Sequence, residues 1–296
     1  MNEREEIPFT RLAVLGLGQM GCSVGMGARM AGIEVWGFDP SRETAEGAAR
    51  LGAADHLVSS AAEAAESAEA VLLASPVSAI LETLTREGPV LAERDLVTDV
   101  GSVKEPVVSR MEQVLGAGGP GVGGHPMAGN EVSGPAGARA DMFRGRPWVL
   151  CPGAASREEA VGRALWLVRR LGAKPLLAEP GEHDRQVAFS SHLPYLSAVA
   201  LALSALSGGA GSLVGPSLWD GTRVAASDPS MAGDYCFHNR KHLRGAVASL
   251  ICRLEALQES LEGYSDESLY RLLEGARAAR SQLFPGTERD QKGDCS

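Results

Sequence analysis

The sequence predicts an α/β fold in two parts, a doubly wound sheet followed by an all-α region. Its 296 residues leave room for two domains of roughly 100–200 residues each. In the first part, short aliphatic runs alternate with Ala- and charge-rich stretches, as in a parallel sheet covered by helices. After Pro180 these runs stop and long helical stretches follow. We therefore expect domains at 1–179 and 180–284, with a disordered tail at 285–296.

The elements follow in chain order. Seven runs of aliphatic or β-branched residues are predicted strands: Leu12–Leu15, Glu34–Phe38, Ala70–Ala74, Leu96–Asp99, Gly121–Gly123, Trp148–Leu150 and Lys174–Ala178. A helix is predicted between Ser156 and Leu171, because Ser156 is a capping residue and acidic residues follow in the first turn. Three long helices are predicted in the second part: Asp184–Ser207, Lys241–Glu262 and Glu267–Leu283.

One segment of the second part has to be weighed as a membrane span. From Leu193 to Trp219 the chain contains no Asp, Glu, Lys or Arg. Serines and a glycine cluster interrupt the apolar run before it reaches the roughly 20 residues that a bilayer requires. A helix that is apolar on all sides is more often buried in protein, so this segment favours a dimer interface and no membrane contact.

The composition is that of an ordinary globular protein, with 44% hydrophobic and 22% charged residues, which argues against a disordered chain. A net charge of -9 repels phosphate backbones, so nucleic acid is not expected as a partner. The five cysteines are widely spaced without C-x-x-C pairs, which favours reduced thiols, and no metal is expected. The polar N-terminus has no signal-peptide pattern, so we expect a cytoplasmic protein.

A glycine-rich turn after the first strand predicts a dinucleotide site of the Rossmann type. The run GLGQMG fits G-x-G-x-x-G between a strand and a helix. Asp39, at the end of the second strand, would accept hydrogen bonds from the adenine ribose, which favours NAD. Arg42 keeps NADP open. The predicted cofactor residues in this region are Gly16, Leu17, Gly18, Gln19, Met20, Gly21, Asp39 and Arg42.

Two further strands are followed by turn-forming residues that should line the same cleft. Ligands of open α/β sheets bind outside the carboxyl ends of the strands. We therefore assign Ser75, Pro76, Val77 and Gly101 to the cofactor. Ser102 is either a hydroxyl in the active site or an ordinary cap for the following helix.

A glycine-rich loop after the strand Gly121–Gly123 presents one histidine and one carboxylate, His125 and Glu131. A histidine titrates near neutral pH, so His125 is a candidate base for the proton of a substrate hydroxyl. The alternative is a histidine that only satisfies hydrogen bonds in a turn.

The residues of this loop resemble a known family. The run GGHPMAGNEVSG is similar to the GGHPMAG-[ST]-E-x-SG signature of prephenate and arogenate dehydrogenases. The runs DVGSVK, SSHLPY and TRVAASDPSM follow in the order of that family, and the resemblance extends over roughly Arg11 to Leu283. It implies a nucleotide-binding domain followed by a helical domain that dimerises and completes the active site.

The resemblance implies NAD(P)-dependent oxidative decarboxylation of a cyclohexadienyl carboxylate. The family's catalytic histidine matches His125, which would take the ring hydroxyl proton, while Ser102 would orient that hydroxyl or the histidine. Arg223 matches the arginine that binds a substrate carboxylate. Glu131 would gate the pocket or tune its charge. His192 would contact the substrate or cap the following helix.

Three residues depart from the family pattern. Asn130 replaces Ser or Thr, Tyr195 stands where the family has a second histidine, and Ala232 stands where many members have Trp. Tyr195 is expected to face the substrate, so prephenate, arogenate and 4-amino-4-deoxyprephenate all remain open. Two other interpretations also remain, another β-hydroxyacid or imine-reducing dehydrogenase and a catalytically silent NAD-binding sensor.

Overall fold

The computed structural model describes residues 8–130, 132–262 and 266–285. Its strands are β1 Arg11–Leu15, β2 Glu34–Phe38, β3 His56–Leu57, β4 Ala70–Leu73, β5 Leu96–Asp99, β6 Gly121–Pro126, β7 Pro147–Pro152 and β8 Lys174–Leu177. They form one sheet in the order β3-β2-β1-β4-β5-β6-β7-β8. Neighbouring strands are parallel except β6 and β7. The strand order reverses between β1 and β4, and a crevice forms there at the carboxyl ends.

The helices cover the sheet and then continue alone. Those of the first part are α1 Gln19–Met30, α2 Arg42–Arg50, α3 Ala61–Glu66, α4 Val77–Ala92, α5 Glu105–Leu115 and α6 Glu158–Arg170. Those of the second part are α7 Pro180–Val187, α8 Leu193–Ser207, α9 Pro216–Thr222, α10 Pro229–His238, α11 Arg240–Glu262 and α12 Asp266–Leu283. A π-helical turn, Ala188–His192, joins α7 to α8. The predicted fold class, a doubly wound sheet followed by helices, is confirmed.

Helices lie on both faces of the sheet because strand side chains alternate between the faces. In β1, Leu12 and Val14 join a buried cluster with residues of α1 and α6. Ala13 and Leu15 join a second cluster with residues of α3, α4 and α5. The sheet is buried on both faces, which is why its central strands read as continuous apolar runs.

The structure corrects the prediction at β6 and β7. Strand β6 continues to Pro126, so His125 lies in a strand opposite Val149, whereas the sequence placed it in the following loop. In the part of the segment between β6 and β7 that the structure describes, there is a 3₁₀ turn, Pro135–Gly137, and no crossover helix. The chain therefore returns antiparallel, and the sheet is mixed.

Other elements also differ from the expectation. Strand β3 is two residues long and exposed, too short to leave a periodic pattern. Helices α9 and α10 are short and were not predicted. Ser156 does not cap α6: Arg157 holds that position, and the Ser156 hydroxyl donates to the Gly121 carbonyl oxygen at 2.6 Å.

Contacts group the chain into two compact units. The first, 1–243, contains the sheet and helices α1 to α10, and the second, 244–296, contains most of α11 and α12. The domain boundary that the sequence pattern predicts near residue 180 stays a prediction. Apart from Pro285, the predicted tail lies outside the described residues.

One helical stretch within the described ranges, Pro180–Ser207, is long and apolar enough to cross a membrane by length and composition. It contains the start of the uncharged segment noted in the sequence. Only 22% of its most apolar 18-residue stretch is buried. Leu203 and Leu206 are 64% and 81% exposed, so this helix presents apolar surface that a single chain leaves uncovered.

Candidate active site

The turn between β1 and α1 allows a ligand to come close to the backbone. Gly16 has a φ of 103°, and a Cβ there would lie 2.5 Å from the Ala74 carbonyl oxygen. A Cβ on Gly21 would lie 1.9 Å from the Gly16 oxygen. A Cβ on Gly18, in contrast, would meet nothing within 4 Å, and α1 has no side-chain cap. The arrangement fits a pyrophosphate bound at the N-terminus of α1.

Asp39 follows β2 and is fixed beside this turn. Its Oδ2 accepts a hydrogen bond from the Leu17 N–H at 2.8 Å, and its Oδ1 accepts one from the Ser41 N–H at 2.9 Å. Arg42 instead pairs with Glu46 at 2.8 Å on the exposed side of α2. Asp39, which favours NAD, is thus held beside the glycine turn. Arg42, the residue that would accommodate NADP, instead forms an ion pair within its own helix.

Gln19 joins the glycine turn to the loop that follows β6. Its Nε2 donates to Asn130 Oδ1 at 2.7 Å and to the Val132 carbonyl oxygen at 2.6 Å. The Asn130 N–H donates back to Gln19 Oε1 at 3.2 Å. Asn130, one of the departures from the family pattern, therefore holds the loop against α1. Met20 is half-buried and packs against the core.

The predicted strand-end residues lie at one edge of the sheet. Ser75, Pro76 and Val77 follow β4, and Gly101 and Ser102 follow β5. All five are at the carboxyl ends of β4, which neighbours β1, and of β5, which neighbours β4, as the cleft requires.

Ser102 is half-buried and does not cap α5. Lys104 occupies the cap position without a side-chain hydrogen bond, and the helix N-terminus is satisfied from elsewhere in the chain. The alternative interpretation of Ser102 as an ordinary cap is therefore wrong.

A buried ion pair fixes the backbone just before His125. Asp99 accepts hydrogen bonds from the Lys104 ammonium and from the N–H groups of Gly101 at 2.7 Å and Gly124 at 2.9 Å. Lys104 also donates to the Gly124 carbonyl oxygen at 2.7 Å. Burial raises the pKa of the Asp99 carboxyl, and the Lys104 charge opposes that rise. The pair ties β5 to β6 and limits the movement of His125.

His125 is the first member of a hydrogen-bonded chain. Its Nδ1 lies 2.9 Å from Nε2 of His183, and Nδ1 of His183 lies 2.8 Å from Oδ1 of Asp184. The Asp184 carboxylate also accepts the N–H groups of Lys104 at 2.6 Å and Glu105 at 2.8 Å, at the start of α5. Asp184 is thus held by a helix N-terminus and can only accept from His183.

The hydrogen-bond network assigns the tautomers of this chain. A neutral imidazole carries one hydrogen, so a His183 that donates to Asp184 through Nδ1 accepts at Nε2. His125 then donates through Nδ1, and its Nε2 carries a lone pair. Burial lowers the pKa of His125 well below its ordinary value, and a positive charge on Lys104, or on His183 or His192 when protonated, lowers it further. His125 is therefore neutral near pH 7, with Nε2 ready to accept a proton.

His192 belongs to a neighbouring cluster. It is 1% exposed and stacks on Tyr235 at a centroid distance of 4.5 Å. Its Nδ1 lies 3.0 Å from Nδ2 of Asn239, which also donates to the Asp184 carbonyl oxygen at 2.9 Å. His192 occupies the N-cap position of α8, but its side chain makes no capping hydrogen bond, so the cap interpretation holds for its position only. Tyr195 meets the same Tyr235 ring edge-on at 6.1 Å.

The other predicted substrate residues are less closely connected. Arg223 is exposed and opens the 3₁₀ turn Arg223–Ala226, which packs against α8, the helix that carries Tyr195. Glu131 lies outside the described residues. Ala232, in α10, is buried.

Comparison with known proteins identifies the group to which this chain belongs. The family model described as "Prephenate dehydrogenase, nucleotide-binding domain" matches residues 25–177, and "Prephenate dehydrogenase, dimerization domain" matches residues 179–275. The prephenate dehydrogenase of Bacillus subtilis is 30% identical over 92% of this chain and 76% of its own length.

The chain belongs to the prephenate dehydrogenase family.

Solved structures agree with this assignment. The prephenate dehydrogenase of Aquifex aeolicus, in complex with hydroxyphenyl propionate and NAD+, has a TM-score of 0.82 and 27% identity over 93% of this chain and 98% of that one. The arogenate dehydrogenase of Synechocystis has a TM-score of 0.79 and 27% identity over 92% and 99%. This member of the prephenate dehydrogenase family is an NAD-dependent oxidoreductase that carries out prephenate-type dehydrogenation.

Sequence reasoning missed part of this prephenate dehydrogenase site. His183, Asp184 and Asn239 were not predicted, although His183 and Asp184 lie at the start of the second part, where the strand pattern ends. Lys104 stood in the DVGSVK run without an assigned role. The available signal was the adjacent His-Asp pair in a helix start, a combination that can orient another histidine.

Proposed function

We propose that the chain catalyses NAD-dependent oxidative decarboxylation of prephenate or a close analogue, with His125 as the base. The observation that carries the proposal is the hydrogen-bonded chain from His125 through His183 to Asp184. It leaves the His125 lone pair on Nε2, the nitrogen that does not face His183, and holds the ring in one orientation. A base near a substrate hydroxyl needs both properties.

The proton steps follow from this arrangement. Nε2 of His125 takes the proton of the ring hydroxyl as the C–H bond of the same carbon breaks, and the ring carboxylate then leaves as CO2 while the ring becomes aromatic. The imidazolium keeps its Nδ1–H bond to His183, and the Asp184 carboxylate stabilises the added charge through His183. The lowered pKa of His125 favours later return of the proton to water.

The residues at the carboxyl edge of the sheet fit NAD. The open face at Gly18 and the uncapped start of α1 would hold the pyrophosphate, and Asp39 would bind the adenine ribose. Residues 75–77 and Gly101 would line the nicotinamide half. When bound, NAD supplies the hydride acceptor.

The proposed substrate contacts come from the second part of the chain and from β5. Arg223 would bind a carboxylate with its guanidinium fork, and Ser102 would orient the ring hydroxyl. Tyr195 offers a neutral hydroxyl where the family has a second histidine, which supports testing substrates with other side chains and ring groups. Glu131 would gate the pocket or tune its charge, as the sequence predicts.

A substrate panel tests this function. NADH absorbance is followed with purified protein and prephenate, arogenate or 4-amino-4-deoxyprephenate, each with NAD and with NADP. Turnover of one of them with NAD is the expected result and names the substrate. Intact NAD binding without turnover of any of the three would contradict the proposal and favour a sensor.

We also propose that the protein is a cytoplasmic homodimer that associates through its second-part helices and needs no membrane or nucleic acid. The match to a dimerization domain and the exposed leucines of α8 support this. Light scattering should give twice the chain mass, and Leu206→Glu should shift it toward the monomer. A monomeric wild-type protein would contradict the proposal.

A further inference from the structure

The hydrogen bonds around His192 fix the position of its ring hydrogen. Nδ2 of Asn239 lies 2.9 Å from the carbonyl oxygen of Asp184 and 3.0 Å from Nδ1 of His192. A carbonyl oxygen can only accept, so the amide must turn its NH2 group toward Asp184. The same NH2 faces His192 Nδ1, which is therefore the bare nitrogen. The hydrogen of a neutral His192 ring is on Nε2.

This Nε2–H has no hydrogen-bond partner among the described residues, although it is buried. His192 is 1% exposed, and its ring is held by Asn239 on one side and by the face of Tyr235 on another. A buried polar group without a partner destabilises the folded state, so proteins rarely keep one without use. Asn239, which holds His192, also donates to the backbone of Asp184, whose carboxylate orients the hydrogen-bond partner of His125, so both rings belong to one hydrogen-bonded cluster.

We propose that Asn239 is a positioning residue that holds His192 as a hydrogen-bond donor, and that the Nε2–H of His192 binds a carbonyl or carboxylate oxygen of the bound ligand. The inference rests on the proposed function, in which this oxygen belongs either to the cyclohexadienyl substrate or to the carboxamide of NAD. The chemistry required is the same for both, a hydrogen-bond acceptor facing a neutral donor.

Asp184 connects this donor to the base. Its carboxylate orients His183 and thereby leaves Nε2 of His125 without a hydrogen. Its backbone carbonyl orients Asn239 and thereby leaves a hydrogen on Nε2 of His192. The two histidines therefore present opposite hydrogen-bonding characters. His125 accepts the proton that leaves the substrate, and His192 donates a hydrogen bond to a ligand oxygen that only accepts.

The tautomer is measured directly by 15N NMR of the full-length protein labelled at histidine, with His192→Gln to identify the signal. The wild-type protein should show His192 with a protonated Nε2 and a bare Nδ1. Asn239→Asp offers an acceptor in place of the NH2 group, so the hydrogen should move to Nδ1. Asn239→Ala should give a mixture of the two tautomers. A protonated Nδ1 in the wild-type protein, or the same tautomer in all three proteins, would overturn the proposal.

Kinetics distinguish the two sources of the ligand oxygen. Asn239→Asp, which moves the hydrogen away from Nε2, should raise one KM by about tenfold, the loss of one hydrogen bond of roughly 1.4 kcal/mol, and leave the other within about twofold. A raised substrate KM assigns the oxygen to the substrate, and a raised NAD KM assigns it to NAD. Unchanged KM values for both would refute the ligand contact. Gln113→Glu, an exposed amide in α5, is the control for changing an amide to an acid and should leave both KM values unchanged.

A double variant separates positioning from general destabilisation. If Asn239 acts through His192, Asn239→Ala combined with His192→Gln should raise KM no further than His192→Gln alone. Losses that add would contradict the proposal. The NMR experiment needs no substrate, so a wild-type protein that is silent on all three candidates would overturn the proposed function, while the tautomer would still test Asn239.

Discussion

Two helix N-termini at the same edge of the sheet are used in opposite ways. The start of α1 has no side-chain cap and an open face at Gly18. The start of α5 holds the carboxylate of Asp184, which accepts two of its N–H groups. Helix α4 resembles α5, because Asp234 accepts the Ser78 N–H at 3.3 Å.

The positive end of a helix dipole favours an anion, whether the ligand or the chain supplies it. At α4 and α5 the anion is a carboxylate from α10 or α7, so these ends connect the second part of the chain to the sheet. At α1 no side chain caps the helix N-terminus, so an anionic group of the ligand can bind there. The capped end of α5 also begins the chain of hydrogen bonds to His125, the base that we propose for the reaction.

The largest effect that separates the two ends is expected from His125→Asn. It removes the base and should lower kcat by roughly 10²–10⁴. NAD affinity, measured by titration, should stay within about twofold because the α1 end is untouched. A comparable loss of NAD binding would show that the two ends are not independent.

A somewhat smaller effect is expected from Asp184→Asn. The amide no longer dictates which His183 nitrogen carries hydrogen, so kcat should fall by about 100-fold. It also meets two N–H groups of α5 with a weaker acceptor, and unfolding by denaturant should show a loss of about 1–3 kcal/mol. A variant with wild-type activity and stability would show that Asp184 neither orients His183 nor stabilises the start of α5.

Lowering the pH should affect the α5 end, near which the histidines lie, before the α1 end, because the turn Gly16–Gly21 contains no histidine. Burial lowers the pKa of His192 to about 4, from about 6.5 in the unfolded chain. Between these values the unfolded chain binds more protons, so the free energy of unfolding should fall by about 2–3 kcal/mol as pH drops from 6.5 to 4. His192→Gln should flatten this part of the profile. If the free energy of unfolding fell equally with pH in His192→Gln and in the wild-type protein, the loss of stability could not be assigned to His192.

A change at the open end should have a smaller and more selective effect. The Cβ of Gly18→Ala meets no protein atom, so the fold should be kept, but the methyl group faces the ligand. The KM for NAD should rise about tenfold with little change in kcat. Gly162→Ala, in α6, also meets nothing within 4 Å and serves as the control. Equal KM values in the two variants would argue against a phosphate at Gly18.

The smallest effect is expected at α4. Asp234→Ala removes an acceptor at the helix start and should cost about 1 kcal/mol of unfolding free energy, measured with urea. Turnover should change by less than about twofold, because Asp234 is not in the hydrogen-bonded chain to His125. A strong loss of turnover would mean that the α4 end is also part of the chemistry.

The sequence predicted the open end far better than the capped one. The glycines, Asp39 and their strands lie within one short βαβ segment, so spacing alone was enough. Asp184 and Asn239 act on residues 47 to 80 positions away, and no local pattern encodes such contacts. The strand Trp148–Leu150 was predicted, but its antiparallel direction was not, because its residues are as apolar as those of a parallel strand. The candidate base His125 was found from its motif, but its partner His183 required the fold.

The double use of Asp184 separates proton handling from substrate choice. Its carboxylate orients His183 and its backbone carbonyl orients Asn239, and through them His125 and His192 are oriented. None of these hydrogen bonds involves Tyr195, so we expect position 195 to accept mutations while the protonation pattern is kept. A library varied at position 195, with the five residues of this hydrogen-bonded cluster left intact, should yield new substrate preferences at a far higher rate than random mutagenesis of the whole chain. In evolutionary terms, this arrangement lets one ancestral enzyme diversify its substrates without rebuilding its catalytic chemistry.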